Sequence, residues 1–267
     1  MASFVVNSSV TNLAGWGSLA NADTAYITRT GDVFTPTAYW TFNGLTDMTV
    51  ILAGSTVVNA LSVGSAASNS IAIQSTGSLF GRSHNALDLV GPGTITNMGS
   101  VFGQVNAIVS YEAGLIVNSG TISAVASGVS MNLFGTGGTL ANDGLSRADL
   151  HYGVNVVGGS ATLTNHGTIE ALGSANGGQP TGVYLGGSGS VLVNSGLIFG
   201  TYNGITLGAD FSEQTITNSD TIQRNHAAIQ SAETATPSLQ TAPIPAPTIR
   251  RNRLRLRPRV LPAAHLC

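Results

Sequence analysis

Short segments in which aliphatic and small polar residues alternate recur along the chain. Segments 114–124 (GLIVNSGTISA), 161–173 (ATLTNHGTIEALG) and 190–208 (SVLVNSGLIFGTYNGITLG) are variants of one phrase. None of them is long enough for a helix, and none carries an apolar period of 3.6 residues. Alternation over a few residues, punctuated by Gly and Asn, instead predicts short strands with one buried and one exposed face.

Two columns of repeated residues run through these segments in a fixed phase. In the first column, an Asn follows an aliphatic residue by two positions and precedes a Gly by two, with Asp220 in place of the last Gly. The six Asn residues, spaced by 21 to 29 positions, are Asn97, Asn118, Asn142, Asn165, Asn194 and Asn218. The second column, a small residue followed by an aliphatic one, recurs from Ala60-Leu61 to Ala228-Ile229. Two columns kept in phase indicate a structural repeat rather than low-complexity sequence.

The repeat predicts an all-β fold, a right-handed parallel β-helix of about seven or eight coils over residues 55–230. A single short strand buries little by itself. Coils stacked about 4.8 Å apart pair each strand with its counterpart in the next coil. Asn and Gly both tolerate the left-handed backbone of a tight corner. We therefore expect the six Asn side chains to stack at one corner and to hydrogen-bond along a ladder.

The flanking segments differ from the repeat in composition. Residues 1–54 lack the repeat and contain Trp16 and Trp40, which predicts a β-rich N-terminal cap, with a carbohydrate-binding aromatic patch as the alternative. Residues 231–267 hold six of the nine Pro and six of the ten Arg but no Gly. This composition predicts a disordered basic tail. A shifted reading frame explains the tail better than a genuine arm that binds anionic surfaces.

Charge and targeting signals exclude several classes of function. Residues 1–233 hold all twelve acids and four Arg, a balance of −8, so nucleic acid is not an expected partner of this body. The chain has no apolar run of about 18 residues and no visible cleavable N-terminal signal peptide. Its Gly-rich segments lack the Lys and the helix of a phosphate-binding loop.

The N-S-G-T-I and G-V-x-L units resemble the β-helical repeats of secreted and surface proteins of bacteria. These include filamentous-haemagglutinin-like adhesins, autotransporter passengers and calcium-binding RTX-like proteins exported by type I systems. The resemblance implies a non-enzymatic structural or adhesive module, located outside the cell or on its surface, whose partners are cell-surface glycans or other surface proteins. The calcium-binding nonapeptide G-G-x-G-x-D is absent. No cofactor is therefore predicted, with calcium held by Asp210 and Glu213 as an open alternative.

Other β-helices are enzymes that act on polysaccharides, and one segment offers candidate residues for such an activity. The segment RADLHYG contains Arg147, Asp149, His151 and Tyr152, which could supply an acid, a base and a group that neutralises a carboxylate. A lyase, hydrolase or epimerase is the resulting alternative. Catalysis of this kind needs carboxylates from neighbouring coils, and these offer little beyond Glu170. A non-enzymatic module remains the preferred interpretation.

Overall fold

The computed structural model describes residues 3–11, 21–42, 47–63, 68–133, 137–174, 179–208, 213–231 and 238–240. These residues form β-strands, numbered here in chain order, and no helix. Eleven strands form sheet I: β1 (Ser3–Val6), β3 (Thr24–Ile27), β5 (Thr49–Leu52), β7 (Asn69–Ile73), β10 (Gly93–Asn97), β13 (Leu115–Asn118), β16 (Gly138–Asn142), β19 (Ala161–Asn165), β22 (Val191–Asn194), β25 (Thr215–Asn218) and β28 (Ser238–Gln240).

Seventeen strands form sheet II, which wraps around the remaining sides of the molecule. They are β2 (Val10–Thr11), β4 (Asp32–Phe42), β6 (Ser55–Val63), β8 (Ser78–Gly81), β9 (Leu87–Leu89), β11 (Ser100–Gly103), β12 (Asn106–Ser110), β14 (Thr121–Ala124), β15 (Ser127–Leu133), β17 (Leu145–Ala148), β18 (Tyr152–Gly158), β20 (Thr168–Ala171), β21 (Thr181–Leu185), β23 (Leu197–Gly200), β24 (Asn203–Leu207), β26 (Thr221–Arg224) and β27 (Ala227–Ser231).

The strands stack in parallel as a β-solenoid of about eight turns, which confirms the predicted fold class. From β7 onward, each turn contributes one strand to sheet I and two strands to sheet II. Equivalent residues of successive turns lie in register, so that Asn97 pairs with Asn118 and Asn118 with Asn142. Because each turn contacts mainly its two neighbours, a residue column runs along the whole molecule.

The alternation of side chains places the aliphatic columns inside the solenoid. The aliphatic residues two positions before each Asn are 0–2% exposed: Ile95, Ile116, Leu140, Leu163, Leu192 and Ile216. Ser146 occupies an aliphatic slot of sheet II, pairs in register with Ile122 and Ile169, and is also buried. Its hydroxyl donates to the carbonyl of Gly153 at 2.8 Å, which satisfies the one polar group introduced at this core position.

The parallel pairing extends into the segment for which the sequence predicts an N-terminal cap. Strand β1 pairs with β3, β3 with β5, and β4 with β6, all in parallel. The pairing thus crosses the boundary predicted near residue 54 without a change of direction. These early turns lack the Asn-x-Gly phrase, which is why the sequence pattern missed them. Residues 12–20 and the side chains of 36–46, with Trp16 and Trp40, lie outside the description.

Strand β28 lies within the segment predicted to be a disordered tail, and its backbone pairs with β25. An edge strand such as β25 offers a row of backbone N–H and C=O groups to any segment that follows it. Residues 238–240 thus form the last strand of sheet I. The remainder of the predicted tail, 232–237 and 241–267, lies outside the described residues.

Candidate functional site

A column of outward-facing side chains on sheet II combines aromatic and charged groups. Phe80 pairs with Phe102, Phe102 with Ser123, Ser123 with Arg147, and Arg147 with Glu170. All five lie at the third position of a four-residue strand, where alternation directs the side chain away from the core. Each therefore stands about 4.8 Å from the next along the solenoid axis.

The two aromatic rings form one end of this column. The rings of Phe80 and Phe102 are stacked, with centroids 4.9 Å apart and planes inclined by 11°. Since Phe102 stacks on the preceding turn, its second face is directed toward Ser123 of the following turn. Phe80 is 38% exposed, which is high for a residue of this size.

A depression opens where the short side chain of Ser123 stands between the larger neighbours of its column. It has a volume of about 250 Å³ and is lined by Phe102, Thr121, Ser123, Leu145, Arg147 and Asp149. The distance between the Phe102 and Arg147 positions is two strand spacings, or about 10 Å. A gap of this size accommodates one ring placed between the aromatic face and the guanidinium group.

Two carboxylates surround the guanidinium group of Arg147. Its Nε and Nη2 atoms donate to Asp149 Oδ1 at 3.3 and 3.2 Å. The nearest oxygen of Glu170 lies 3.9 Å from the same Nε. The side chains of Arg147 and Asp149 are 42% and 50% exposed, so water screens this pair and its contribution to stability is small. One cation among two carboxylates leaves the site with a net negative charge.

The three residues predicted as alternative catalytic groups lie in two different environments. Asp149 lines the depression and bonds to Arg147. Tyr152 instead packs against Tyr184 of the next turn, with ring centroids 5.4 Å apart, and His151 lies beside Tyr152 at 6.1 Å. Burial raises the pKa of the Tyr152 hydroxyl, and the neighbouring Tyr184 raises it further.

The six Asn residues form a continuous column at the corner that follows sheet I. Each Nδ2 donates to the Oδ1 of the next turn, at 2.8 Å from Asn97 to Asn118 and at 2.7 Å for the four following pairs. The first five Asn are 0–1% exposed. Their amides also donate to backbone carbonyls of the corner, as Asn194 does to Gly196 at 2.8 Å. The ladder is therefore a structural device, buried at its corner, whose amides also donate to the backbone carbonyls of Thr121 and Leu145, two residues that line the depression.

A close approach of backbones accompanies the ladder. The Gly two positions after each of the first five Asn lies directly against the carbonyl of its counterpart in the preceding turn, as Gly144 does against Gly120 and Gly167 against Gly144. Gly54 lies in the same way against the carbonyl of Gly31, in turns that lack the Asn.

No metal centre is present among the described residues, which hold no group of three His, Cys, Asp or Glu side chains close enough to bind an ion. Glu213, one of the two residues considered for calcium, has a φ of 68° at the start of a described segment. Asp210, the other, lies outside the described residues.

One further carboxylate, that of Asp88, is half-buried on strand β9 of sheet II. Burial raises its pKa above the ordinary value of 3.8, although a hydrogen bond from Asn85 Nδ2 at 2.8 Å and the charge of His84 oppose the rise. Burial also raises the pKa of the Tyr111 hydroxyl, and the charge of the neighbouring Asp88 raises it further.

The raised pKa predicts how stability depends on pH at this position. Protonated Asp88 favours folding below pH 3.8, and this contribution is lost as the pH rises through the higher pKa of the folded state. Asp88→Asn should therefore unfold at a higher urea concentration than the native protein at pH 7, with a difference that shrinks toward pH 3.8. Glu112→Gln, at an exposed position, is the control. A constant difference across the pH range would contradict the prediction.

Comparison of the chain with protein-family models, curated proteins and solved structures finds no match. In the part of the chain that is described, no helix is long and apolar enough to cross a membrane.

Proposed function

We propose that the chain is a non-enzymatic structural and adhesive β-helix module of a secreted or cell-surface bacterial protein. Its adhesive site is the depression between Phe102 and Arg147, and its ligand is a neutral glycan. The observation that supports this proposal most directly is the open face of Phe102, on a strand two spacings, or about 10 Å, from the strand that carries Arg147, with the short Ser123 between them. The role requires no cofactor.

A sugar ring has the chemistry that this depression presents. Its C–H face packs on an aromatic face, while its hydroxyls need donors and acceptors at the edge of the ring. Arg147 supplies charged donors, and Asp149 and Glu170 supply carboxylate acceptors, which make stronger hydrogen bonds than neutral groups do. Phe102 and Arg147 bound the depression along the solenoid axis, so that it holds a single sugar ring of a glycan chain.

The charge of the site favours a neutral glycan over an acidic one. Arg147 is shared by two carboxylates, and the body of residues 1–233 carries a balance of −8. Both features repel polyanions such as uronate polymers and nucleic acid.

The polysaccharide-acting enzyme is the less favoured candidate. A tyrosine base needs a lowered pKa, whereas burial raises the pKa of Tyr152. Asp149 accepts a hydrogen bond from Arg147, whereas Tyr152 packs against Tyr184 of the next turn. These contacts favour binding over catalysis at this segment.

Removing the aromatic face should weaken glycan binding. We expect Phe102→Ala to raise the dissociation constant for a neutral oligosaccharide about tenfold, since a stacked aromatic contact is worth about 1 kcal/mol and its buried area adds to this. Arg147→Ala should have an effect of similar size through lost hydrogen bonds. The measurement is isothermal titration with ligands selected from an array of neutral and acidic glycans.

Phe199→Ala is the matched control, because Phe199 occupies the same outward column beyond Glu170 and does not line the depression. Equal losses in both Phe variants, or a preference for uronate polymers, would argue against this binding site. Turnover of a uronate polymer that His151→Ala abolishes would replace the proposal with the enzymatic one.

A further inference from the structure

The outer face of sheet I is uncharged along its whole length. No residue of its strands is charged, whereas strands of sheet II carry Asp32, Asp88, Arg147 and Glu170. Alternation directs Val5 outward from β1 and two side chains outward from each of the nine following strands, β3 to β25. They are hydroxyl, aliphatic or Tyr side chains: Val5, Thr24, Tyr26, Thr49, Ile51, Ser70, Ala72, Thr94, Thr96, Leu115, Val117, Thr139, Ala141, Thr162, Thr164, Val191, Val193, Thr215 and Thr217.

Part of this face is apolar and exposed to solvent. Val5, Leu115 and Val193 are 51%, 39% and 38% exposed, and they lie on the first, sixth and ninth strands of sheet I. The strands between them present mainly Thr and Ser side chains, so that the face is apolar in part and carries hydroxyl groups over the rest of its length.

We propose that the outer face of sheet I binds the same face of a second copy of this chain. Nine strand spacings give the face a length of about 43 Å, and four residues per strand give it a width of about 13 Å. Two such faces packed together bury about 1,100 Å² in total, which reaches the roughly 1,000 Å² that a specific interface needs.

The chemistry of the face fits a copy of itself better than it fits the other classes of ligand. Two sheets pack face to face about 10 Å apart, and uncharged side chains lose no ionic hydration when they do so. Both copies also repeat at the same strand spacing, so that rows of side chains can interdigitate along the whole length. At the corner beside the face, His166 Nδ1 lies 2.8 Å from Asp143 Oδ1, and both side chains are exposed. This pair forms part of a polar rim, as interfaces have.

Two other classes of ligand fit less well. An anionic membrane surface attracts basic residues, and the strands of sheet I have none. A glycan requires an aromatic face with charged hydrogen-bonding groups beside it, and the one outward aromatic side chain of these strands, Tyr26, has no charged neighbour on the sheet.

A charge at the centre of the face should prevent the association. Val117 lies on β13, one of the two middle strands of the ten, and in a two-fold dimer a central residue lies close to its own copy. We expect the native protein to sediment at twice its chain mass of 27.1 kDa. Val117→Lys and Val117→Glu should each sediment as monomers, because two like charges then meet in the interface. An equimolar mixture of the two variants should recover the dimer.

Ser100→Lys adds the same charge at an exposed outward position of sheet II and should leave the dimer intact. Unchanged circular dichroism and melting temperature of the Val117 variants would show that they remain folded. A native protein that is monomeric at every concentration tested would overturn the proposal. So would a dimer that Val117→Lys leaves intact, or one that Ser100→Lys dissociates equally, and binding of the face to neutral lipid vesicles or glycans would identify a different ligand.

Discussion

Gly144→Ala is expected to destabilise the folded protein by about 3 kcal/mol or more, because the added methyl group has no room. A Cβ at this position overlaps the carbonyl oxygen of Gly120 and lies 2.8 Å from the carbonyl carbon of Ser119. Both atoms belong to the backbone and cannot move aside as a side chain does. The clash is removed only if the two turns separate, and their separation breaks hydrogen bonds such as the one from Leu145 N to Gly120 O at 2.9 Å.

Gly137→Ala is the control for this substitution, since Gly137 has no atom within 4 Å of an added Cβ. Its φ of 93° still makes Ala unfavourable there, at a cost of about 1–2 kcal/mol. Urea unfolding of the two variants separates the effect of crowding from that of backbone conformation. If Gly144→Ala lost no more stability than Gly137→Ala, the close approach of the turns would not be the constraint on this column.

The stacked architecture could be predicted because each turn repeats the same local pattern. Alternating residues fix which side chains face inward, and a recurring Asn fixes where the turns align. A variable spacer such as residues 172–180 does not disturb this alignment, because the strands on either side of it keep their register. Asn165 and Asn194 therefore pair although 29 positions separate them.

In the early turns, the repeated sequence pattern is not sufficient to predict where the turns align. Their strands alternate like the others, but they lack the Asn that marks the corner. Gly31 and Gly54 hold the equivalent stacked positions and were the available signal, since they precede Gly77 at a spacing of 23 residues each.

The depression could not be derived from the repeat, because it depends on differences between turns rather than on what the turns share. The phrases GSLFG (77–81) and GSVFG (99–103) place Phe80 and Phe102 at one repeat position, which is a readable signal for an aromatic stack. The next turn has Ser123 at this position, and the turn after it has Arg147. The depression between them can be recognised only when the exact pairing of these strands is known.

In the segment RADLHYG, residues that are near in sequence have different neighbours in space. Asp149 and Tyr152 are three positions apart, yet a corner lies between β17 and β18 and directs them toward different neighbours, Arg147 and Tyr184. In a solenoid, residues of one column in successive turns are closer partners than residues on either side of a corner.

Asn142→Ala should destabilise the protein by about 2–4 kcal/mol, since it breaks two buried ladder bonds and leaves the buried Oδ1 of Asn165 without its ladder donor, although the Asn118 amide keeps its bond to Leu145 O. Asn142 is fully buried in the middle of the ladder, accepts from Asn118 Nδ2 at 2.7 Å and donates to Asn165 Oδ1 at 2.7 Å. Alanine can neither accept nor donate there. A further loss comes from the carbonyls of Gly144 and Thr168, to which the same amide donates at 3.2 Å.

The same substitution at the end of the ladder provides the comparison. Asn218 is only partly buried and has one ladder neighbour, Asn194, whose amide keeps its 2.8 Å bond to Gly196 O when Asn218 is replaced. Asn218→Ala should therefore cost about 1 kcal/mol or less. Hydrogen exchange should show the difference locally, with faster exchange at Gly144 N and Leu145 N in Asn142→Ala, because turns of a solenoid can open separately. Equal losses at both positions would mean that the Asn residues act singly at their corners, and that the bonds between turns contribute little to the stability of the stack.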